Sequence, residues 1–374
     1  MEFNFRFSET ASINLDIIRV AAIQNVAVAH GMAMMGLIPP VSPGLFGSIS
    51  FPLIFLISGI LTSYSLLNKQ KDKDYDFQQY FLNRVSRIYP SLLLSIVFLI
   101  IFDISFIILG GKLTSFNILT LIFNLLFIND SVFGIPNFGS SYNFWTLPNF
   151  WWSYLFLGWF LLGSRTVQKK YKYLGILSTF SFLLIAVYLG PWYKISLLAD
   201  MSLLFIWVSG VLITIILNRY DLIIQNRKKL GRIRIKQDTI NKIFLYSFLF
   251  IFIFGSICCL SSFNLGPMDI EYQLILVSSV LLLLIYSQYA KFQYKEKFKK
   301  VIRFMASYTF TLYIVHFALF NLLTLFLGDI NSVILFFIGY ILSNLLAILI
   351  AYFTEMRYYK INKYLLKKCN LDTI

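Results

Sequence analysis

Long runs of apolar residues, separated by short polar segments, make up most of this chain. Ten of these runs reach the length of about 20 residues that a helix needs to cross a bilayer. They cover residues 14–37, 45–67, 89–110, 144–164, 174–190, 196–217, 243–263, 272–290, 305–327 and 331–354. Apolar runs of this length predict an all-α fold, a polytopic membrane bundle of about ten transmembrane helices.

An eleventh apolar stretch, residues 114–129, is short and is interrupted by Asn117 and Asn124. Basic residues decide whether it crosses, because cytoplasmic loops are enriched in Lys and Arg. If it does not cross and the N-terminus is cytoplasmic, 28 of the 32 Lys and Arg lie in cytoplasmic loops and the C-terminal tail. We therefore predict ten spans, both termini in the cytoplasm, and an interfacial or re-entrant segment at 114–129. Eleven spans, with an external N-terminus or a mis-assigned neighbour, are the alternative.

Composition supports a membrane protein: 58% of the residues are hydrophobic and only 13% are charged. The mean hydropathy is +0.75. These values exclude a soluble globular enzyme, a disordered chain and a disulfide scaffold. The net charge of +15 is explained by the basic loops, so we expect no nucleic-acid partner. The basic cluster at 227–236 is interpreted as a solvated loop beside anionic lipid, with a role in binding CoA or nucleic acid as the weaker alternative.

We expect one membrane domain over residues 1–374. No soluble domain follows the first apolar segment, which we interpret as a retained helix and not a cleaved signal. The three cysteines have neither metal-ligand nor disulfide-framework spacing, so we expect no structural disulfide.

The first predicted span carries two ionisable residues, Arg19 and His30. Ionisable residues inside spans are costly and are by default functional. The spacing of eleven residues places both on one helix face. Asp16, one turn before Arg19, has the spacing of an i,i+3 partner. The alternatives are that Arg19 is a snorkelling anchor and that His30 is a packing histidine.

The other histidine of the chain, His316, lies near the middle of the ninth predicted span. Tyr313 is one turn away on the same face, and Tyr308 lies at the start of the segment. Histidine is suited to proton transfer near neutral pH, whereas no third ligand accompanies either histidine, so we expect no metal site. Tyr313 and His316 are candidates for holding a substrate hydroxyl, or alternatively form a hydrogen-bonded packing pair.

Arg84 and Arg87 precede Tyr89 at the predicted cytoplasmic mouth of the third span. Two guanidinium groups at i,i+3 share a helix face and suit a phosphate-bearing ligand. The alternative is that both residues only set the topology.

Three further positions are polar or small at membrane boundaries or inside spans. Ser58 and Gly59 form a small-residue step that favours close helix packing. Glu355 lies where the last span ends, as a boundary charge or as a partner for an arginine such as Arg357.

The longest segment predicted outside the cytoplasm, residues 111–143, is rich in amides and turn-forming residues. Such residues suit contact with a polar acceptor, although a plain connecting loop is the alternative. Trp145, Trp151 and Trp152 follow it and are candidates for stacking on sugar rings, with an interfacial aromatic belt as the other explanation.

Five segments, in order, resemble the membrane acyltransferase-3 family. Residues 14–30 resemble its Leu-Asp-x-x-Arg opening with an Arg-x10-His motif, and residues 51–61 its Ser-Gly second helix. Residues 81–90 resemble its Arg-x-x-Arg-Ile-Tyr-Pro element, residues 307–316 its Ser-Tyr-x-x-Tyr-x-x-His segment, and residues 353–355 its terminal glutamate element. The central Trp-Ser-Leu-x-x-Glu element is only partly present, as Trp145-Thr146-Leu147 without the glutamate.

The resemblance implies a stand-alone membrane O-acyltransferase that modifies glycans. Its expected substrates are acetyl-CoA or another acyl-CoA from the cytoplasm and a saccharide or lipid-linked glycan. Its expected location is the plasma or inner membrane. His30 and Arg19 are then the catalytic candidates, and the substrate-binding candidates are Ser58, Arg84, Arg87, Tyr89, Trp145, Tyr308, Tyr313, His316 and Glu355. A transporter or flippase without acyl-transfer chemistry is the alternative, because buried Arg and His also serve ion paths.

Overall fold

A computed structural model describes most of the chain: residues 3, 5–38, 44–72, 74–129, 133–163, 177–181, 198–229, 246–247, 270–290, 292–369 and 371. All regular secondary structure within these residues is helical, which confirms the all-α fold class. The α-helices are α1 (Glu9–Met34), α2 (Gly44–Lys69), α3 (Phe77–Ile108), α4 (Ile118–Leu125), α5 (Leu147–Gly158), α6 (Leu198–Lys229), α7 (Ile270–Tyr289), α8 (Glu296–Ala306), α9 (Thr309–Phe326), α10 (Ser332–Phe353) and α11 (Tyr358–Lys368).

Six helical stretches in the described residues are long and apolar enough to cross a membrane. They are Glu9–Met34, Ile49–Lys69, Phe77–Ile108, Leu203–Ile224, Thr309–Phe326 and Ser332–Lys368. The shorter apolar helix Gln273–Tyr289 overlaps the predicted span 272–290. The predicted spans 174–190 and 243–263 lie outside the described residues, apart from 177–181 and 246–247. The count of ten spans and the cytoplasmic termini therefore stay predictions.

Two predicted spans are divided in the structure. The segment 144–164 consists of a 3-10 turn (Tyr142–Thr146), α5 and a π-helical turn (Trp159–Gly163). Pro148 lies in the first turn of α5, where its missing N–H costs no hydrogen bond. The segment 305–327 is interrupted where α8 ends at Ala306 and α9 begins at Thr309, so most of the predicted basic loop 291–304 is helical.

The segment 114–129 contains only the eight-residue helix α4, about 12 Å long. The Asn117 side chain caps its start by accepting from the backbone N–H of Thr120 at 2.9 Å. Asn124 donates to the carbonyl of Pro136 at 3.0 Å and accepts from the N–H of Phe138 at 3.2 Å. These two amides, which interrupt the apolar run, therefore fix the turn and the segment that follows. Its interfacial or re-entrant placement stays a prediction.

The chain divides into two compact units, and α1 contributes to both. Unit 1 comprises Met1–Ala22, Ser48–Lys71 and Leu197–Ala306. In it α2 and α6 approach closely, because a β-carbon on Gly59 would overlap the backbone carbonyl of Trp207. The packing interpretation of the Ser58–Gly59 step therefore agrees with the structure.

Unit 2 comprises Ile23–Gly47, Asp72–Ser196 and Ser307–Ile374. Its apolar core contains Met35 directly after α1, Leu319, Phe320 and Leu323 of α9, and Leu335 and Phe336 of α10. The prediction of one domain over the whole chain is not tested by this division.

Helix α11 runs antiparallel to the first turns of α3 within unit 2. Ser91 donates to Thr354 at 3.0 Å, Ser86 to Asn362 at 3.2 Å, and Gln79 to the carbonyl of Leu371 at 3.1 Å. From one contact to the next, the residue numbers fall along α3 and rise along the C-terminal segment, as in an antiparallel pair. They hold the chain after the last span against the start of α3.

Candidate active site

The two histidines of the chain meet in unit 2. His30 Nδ1 on α1 lies 2.9 Å from His316 Nε2 on α9, with the ring planes within 8° of parallel. His316 is completely buried and His30 is half-buried. Two residues that the sequence singled out separately therefore form one pair.

Hydrogen bonding assigns a tautomer to each ring of the neutral pair. His316 Nδ1 lies 2.8 Å from the carbonyl oxygen of Leu312, which can only accept, so Nδ1 carries the hydrogen. His316 Nε2 then holds a lone pair and accepts from His30 Nδ1–H. As a result, His30 Nε2 also holds a lone pair, as a general base requires.

A close approach between helices holds this pair. The Phe320 ring, one turn beyond His316, lies 2.5 Å from the place of a β-carbon on Gly31 and 2.6 Å from that of a β-carbon on Gly339. We call Gly31, Phe320 and Gly339 the glycine clamp. Because any side chain at either glycine would overlap the ring, the clamp sets how near α1 comes to α9 beside the histidines.

A chain of aromatic rings leads from His30 to the surface of unit 2. The ring of Phe317 packs edge-on against His30, with centroids 5.3 Å apart. Tyr142 lies 5.7 Å beyond Phe317, and 64% of Tyr142 is exposed. Tyr142, near the end of the segment 133–143, is therefore separated from His30 by the single ring of Phe317.

Tyr313 shares a helix face with His316, at a ring separation of 6.1 Å. Its hydroxyl lies 2.6 Å from Thr146 Oγ1 and donates to the carbonyl of Asn143 at 2.9 Å. The Asn143 amide donates in return to the backbone carbonyl of Tyr313. The alternative of a hydrogen-bonded Tyr313–His316 pair is therefore not what the structure shows: the Tyr313 hydroxyl instead joins α9 to the 3-10 turn that carries half-buried Trp145.

Arg84 is buried between two tyrosine rings at the start of α3. Its guanidinium carbon lies 5.0 Å from the centre of the Tyr80 ring and 5.2 Å from that of Tyr154. Within the described part of the chain, its Nε has no hydrogen-bond partner. Arg87 instead lies over Tyr358 of α11, at 5.6 Å. The two guanidinium groups therefore face different neighbours and do not form the paired fork that their spacing predicted.

Comparison with known protein families matches residues 12–353 to the acyltransferase-3 family, described as an acyltransferase domain. The chain belongs to the acyltransferase-3 family. Neither a curated protein nor a solved structure matches it. The protein is therefore a multi-pass membrane acyltransferase, and the family favours this over the transporter or flippase alternative.

Arg19 of the acyltransferase lies in unit 1, whereas His30 lies in unit 2. Arg19 donates to Asp16 at 2.9 Å, as the i,i+3 spacing predicted, and about one-fifth of each side chain is exposed. Ser58 is half-buried in unit 1, beside the close approach at Gly59. The structure therefore describes Arg19 and Ser58 only within unit 1, whereas it brings His30, His316 and Tyr313 together.

The remaining candidates of the acyltransferase occupy separate places in unit 2. Tyr89 donates to the carbonyl of Leu125 at 3.0 Å, and its ring packs against Phe127 and Trp151. The Glu355 carboxylate accepts from the Thr311 hydroxyl at 3.1 Å and from its N–H at 3.3 Å, so it caps the first turn of α9.

The tryptophans after the 3-10 turn of the acyltransferase pack in its interior. Trp152 donates to the carbonyl of Phe127 at 2.9 Å, and Trp151 stacks on the Phe127 ring at 5.0 Å. Both are buried, which favours a packing role over sugar contact.

Sequence reasoning missed a polar network that joins α1, α10 and the start of α9. Gln24 on α1 donates to Asn344 at 2.8 Å and accepts from Tyr340 at 2.7 Å. The Tyr308 hydroxyl donates to the same Asn344 oxygen at 3.3 Å. The available signal was two amide side chains inside apolar runs, since amides in spans usually find partners on other helices. Asn143 was predicted only as one of the amides of segment 111–143, and neither it nor Thr146 was expected to bond to Tyr313, because neither is ionisable.

Proposed function

We propose that this acyltransferase moves an acetyl group from acetyl-CoA, supplied by the cytoplasm, to a hydroxyl of a saccharide or lipid-linked glycan. We place it in the plasma or inner membrane. The observation that carries the proposal is the 2.9 Å contact between His30 and His316, which leaves a lone pair on His30 Nε2.

In the proposed reaction, His30 Nε2 takes the proton of the acceptor hydroxyl. The hydroxyl oxygen attacks the thioester carbonyl carbon, and a C–O bond forms as the C–S bond breaks. The CoA thiolate leaves and takes the proton from the His30 imidazolium, which restores the neutral pair. General-base help of this kind contributes about 10²–10⁴-fold to the rate.

His316 acts as the positioning residue. Its Nε2 accepts from His30 Nδ1–H, so it holds the His30 ring in the reactive tautomer and favours the imidazolium that forms. The carbonyl of Leu312 holds His316 in turn, at 2.8 Å. The Leu312 carbonyl therefore orients His316, and His316 in turn orients His30.

Arg84 and Arg87 are the proposed contacts for the CoA phosphates. Arg84 supports this role because it is a buried cation whose Nε has no partner in the described residues. A guanidinium binds phosphate through charge-assisted hydrogen bonds. Arg19, oriented by Asp16, is proposed to hold the pantetheine end or the developing negative charge.

The acceptor is proposed to enter along the segment 133–143. Exposed Tyr142 is one ring away from Phe317, which contacts His30. Aromatic rings pack well on sugar faces, and amides such as Asn137 donate to hydroxyls. Trp145 and Tyr313 are proposed to border this path, because both flank Thr146.

The proposal is tested by measuring release of CoA thiol from acetyl-CoA by the purified protein, with candidate saccharides present and absent. We expect acceptor-dependent release by the wild type and a loss of about 10²–10⁴-fold in His30→Ala. An unchanged unfolding temperature shows that the variant folds. Equal release by both proteins would remove His30 from the chemistry.

A further inference from the structure

Helix α8 differs from its neighbours because it is short, basic and not a membrane span. Its eleven residues contain four basic and one acidic side chain, a net charge of +3. The apolar helix α7 precedes it, and the span α9 begins at Thr309, three residues after α8 ends. Chain connectivity therefore keeps α8 near a membrane surface.

One side of α8 is fixed to the start of α1 within unit 1. Lys299, which is buried, donates to Glu9 at 2.8 Å and also pairs with Glu296. Arg303 donates to the other oxygen of Glu9 at 3.2 Å. Just before the helix, Tyr294 donates to Asn14 at 2.6 Å. These contacts fix the rotation of α8 about its axis.

The opposite side of α8 exposes large apolar residues. The exposed fractions are 42% for Phe298, 54% for Val301 and 48% for Phe304. At 100° per residue they span about 120° of the helix. Lys297 lies within this arc and Lys300 at its edge, and both are exposed. We call these five residues the α8 outer face.

We propose that the α8 outer face lies at the boundary between lipid headgroups and acyl chains and binds anionic lipid. Phe298, Val301 and Phe304 enter the acyl region, while Lys297 and Lys300 hold the lipid phosphates. Amphipathic helices with lysines beside aromatic residues bind anionic membranes in this way. This surface is independent of the acyl-transfer site.

Charge favours lipid over a protein partner as the occupant. The one acidic residue of α8, Glu296, is paired with Lys299, so it does not neutralise the outer lysines. Each basic residue near an anionic surface adds about 1 kcal/mol of attraction. Among the described residues, no ion pair neutralises Lys297 or Lys300. Apolar side chains beside such lysines suit the boundary of a bilayer, where apolar acyl chains meet anionic headgroups.

The test places a fluorescent label at Val301→Cys, in full-length protein whose Cys258, Cys259 and Cys369 are replaced by serine. The protein is reconstituted into vesicles of phosphatidylcholine and phosphatidylglycerol. Two kinds of vesicle with equal mole fractions of the two lipids are compared. In one only the phosphatidylglycerol is brominated, in the other only the phosphatidylcholine is brominated, and the quenching of the label's fluorescence is measured in each. We expect brominated phosphatidylglycerol to quench more strongly.

The double variant Lys297→Gln/Lys300→Gln should remove this preference, with local affinity for phosphatidylglycerol about 30-fold lower. The control Lys360→Gln/Lys363→Gln makes the same charge change at exposed positions of α11 and should keep it. A label reached only by an aqueous quencher would overturn the proposal. So would a label protected from every quencher, as beneath a protein partner, or equal quenching by the two lipids.

Discussion

The phenyl ring of Phe320 occupies the place that a β-carbon on Gly31 would need, with its Cζ 2.5 Å from that position. The adjacent residue, His30, makes the 2.9 Å contact with His316 one turn before Phe320. The spacing of the histidines therefore depends on a glycine that takes no part in the chemistry.

Gly31→Ala should separate α1 from α9 and lower both stability and activity. Overpacking of this kind costs about 1–3 kcal/mol. The unfolding temperature and the rate of acyl transfer measure the two effects. The double variant Gly31→Ala/Phe320→Leu makes room for the new methyl group and should recover part of both. If the single variant behaves as the wild type, the clamp does not set the helix spacing.

Two amide substitutions at His316 separate its two hydrogen bonds. In His316→Gln the amide oxygen reaches about as far as Nε2 and can accept from His30, so we expect activity within about 10-fold of the wild type. In His316→Asn the shorter side chain keeps the bond to Leu312 but leaves His30 without its acceptor. We expect kcat to fall by about 10²-fold or more, with KM little changed. Equal losses in both variants would argue for a purely structural His316.

Arg84→Gln should weaken binding of the acyl donor through its phosphates. Charge-assisted hydrogen bonds contribute about 1.5–3 kcal/mol, so KM for acetyl-CoA should rise about 10–100-fold. KM for acetyl-pantetheine, which has no phosphate, should not change. Arg357→Gln removes another arginine that lies over aromatic rings, 4.7 Å from the centre of Tyr352, and is the matched control. A rise in KM for both donors would contradict the phosphate contact.

Asp103 anchors the segment 133–143 to α3. Its buried carboxylate accepts from the hydroxyl of Ser140 at 2.5 Å and from its N–H at 3.3 Å. Asp103→Ala leaves two buried donors without an acceptor, so stability should fall by about 1–3 kcal/mol. Asp103→Asn retains one acceptor oxygen and should lose less. Limited proteolysis should cut the segment 133–143 faster in Asp103→Ala than in the wild type. The control variant Asp329→Asn, which changes an exposed residue, should be cut at the wild-type rate.

Lys299 makes the stability of the protein depend on pH in the alkaline range. Hydrogen bonds to Glu296 and Glu9 raise the pKa of Lys299 above its ordinary 10.5. A raised pKa stabilises the fold fully below the unfolded-state value and loses that effect as pH rises through the folded-state value. The wild type should unfold at a higher temperature than Lys299→Met. This difference in unfolding temperature should stay constant from about pH 7 to pH 10 and become smaller above about pH 10. Lys300→Met, on the outer face of the same helix, should show no such change.

The sequence singled out His30 and His316, because each is ionisable inside an apolar run. It did not predict their contact, since the two are 286 positions apart and meet only through the tertiary packing of α1 against α9. The partners of Tyr313 escaped prediction for a related reason. Asn143 and Thr146 are ordinary polar residues whose importance comes from what they face.

The apolar runs predicted the helix bounds closely where they contain no charged residues, as in α2 and α10. The pattern was less informative at α8, where basic residues favoured a loop. The helix forms there because its ion pairs with Glu9 lie on one side and its apolar residues on the other. Arg84 and Arg87 show the same limit, since Tyr154 beside Arg84 and Tyr358 beside Arg87 lie on other helices.

Helix α3 has 32 residues and is about 48 Å long, while the hydrocarbon core of a bilayer is about 30 Å thick. The helix is therefore longer than the hydrocarbon is thick, and its first turns pack against α11, α5 and the π-helical turn. Proteins buried in detergent micelles usually lack rigid external features by which particle images can be aligned. A soluble domain joined to Lys368 by a continuous helix would be held by the contacts between α11 and α3, and would serve as a marker for aligning particle images in electron microscopy.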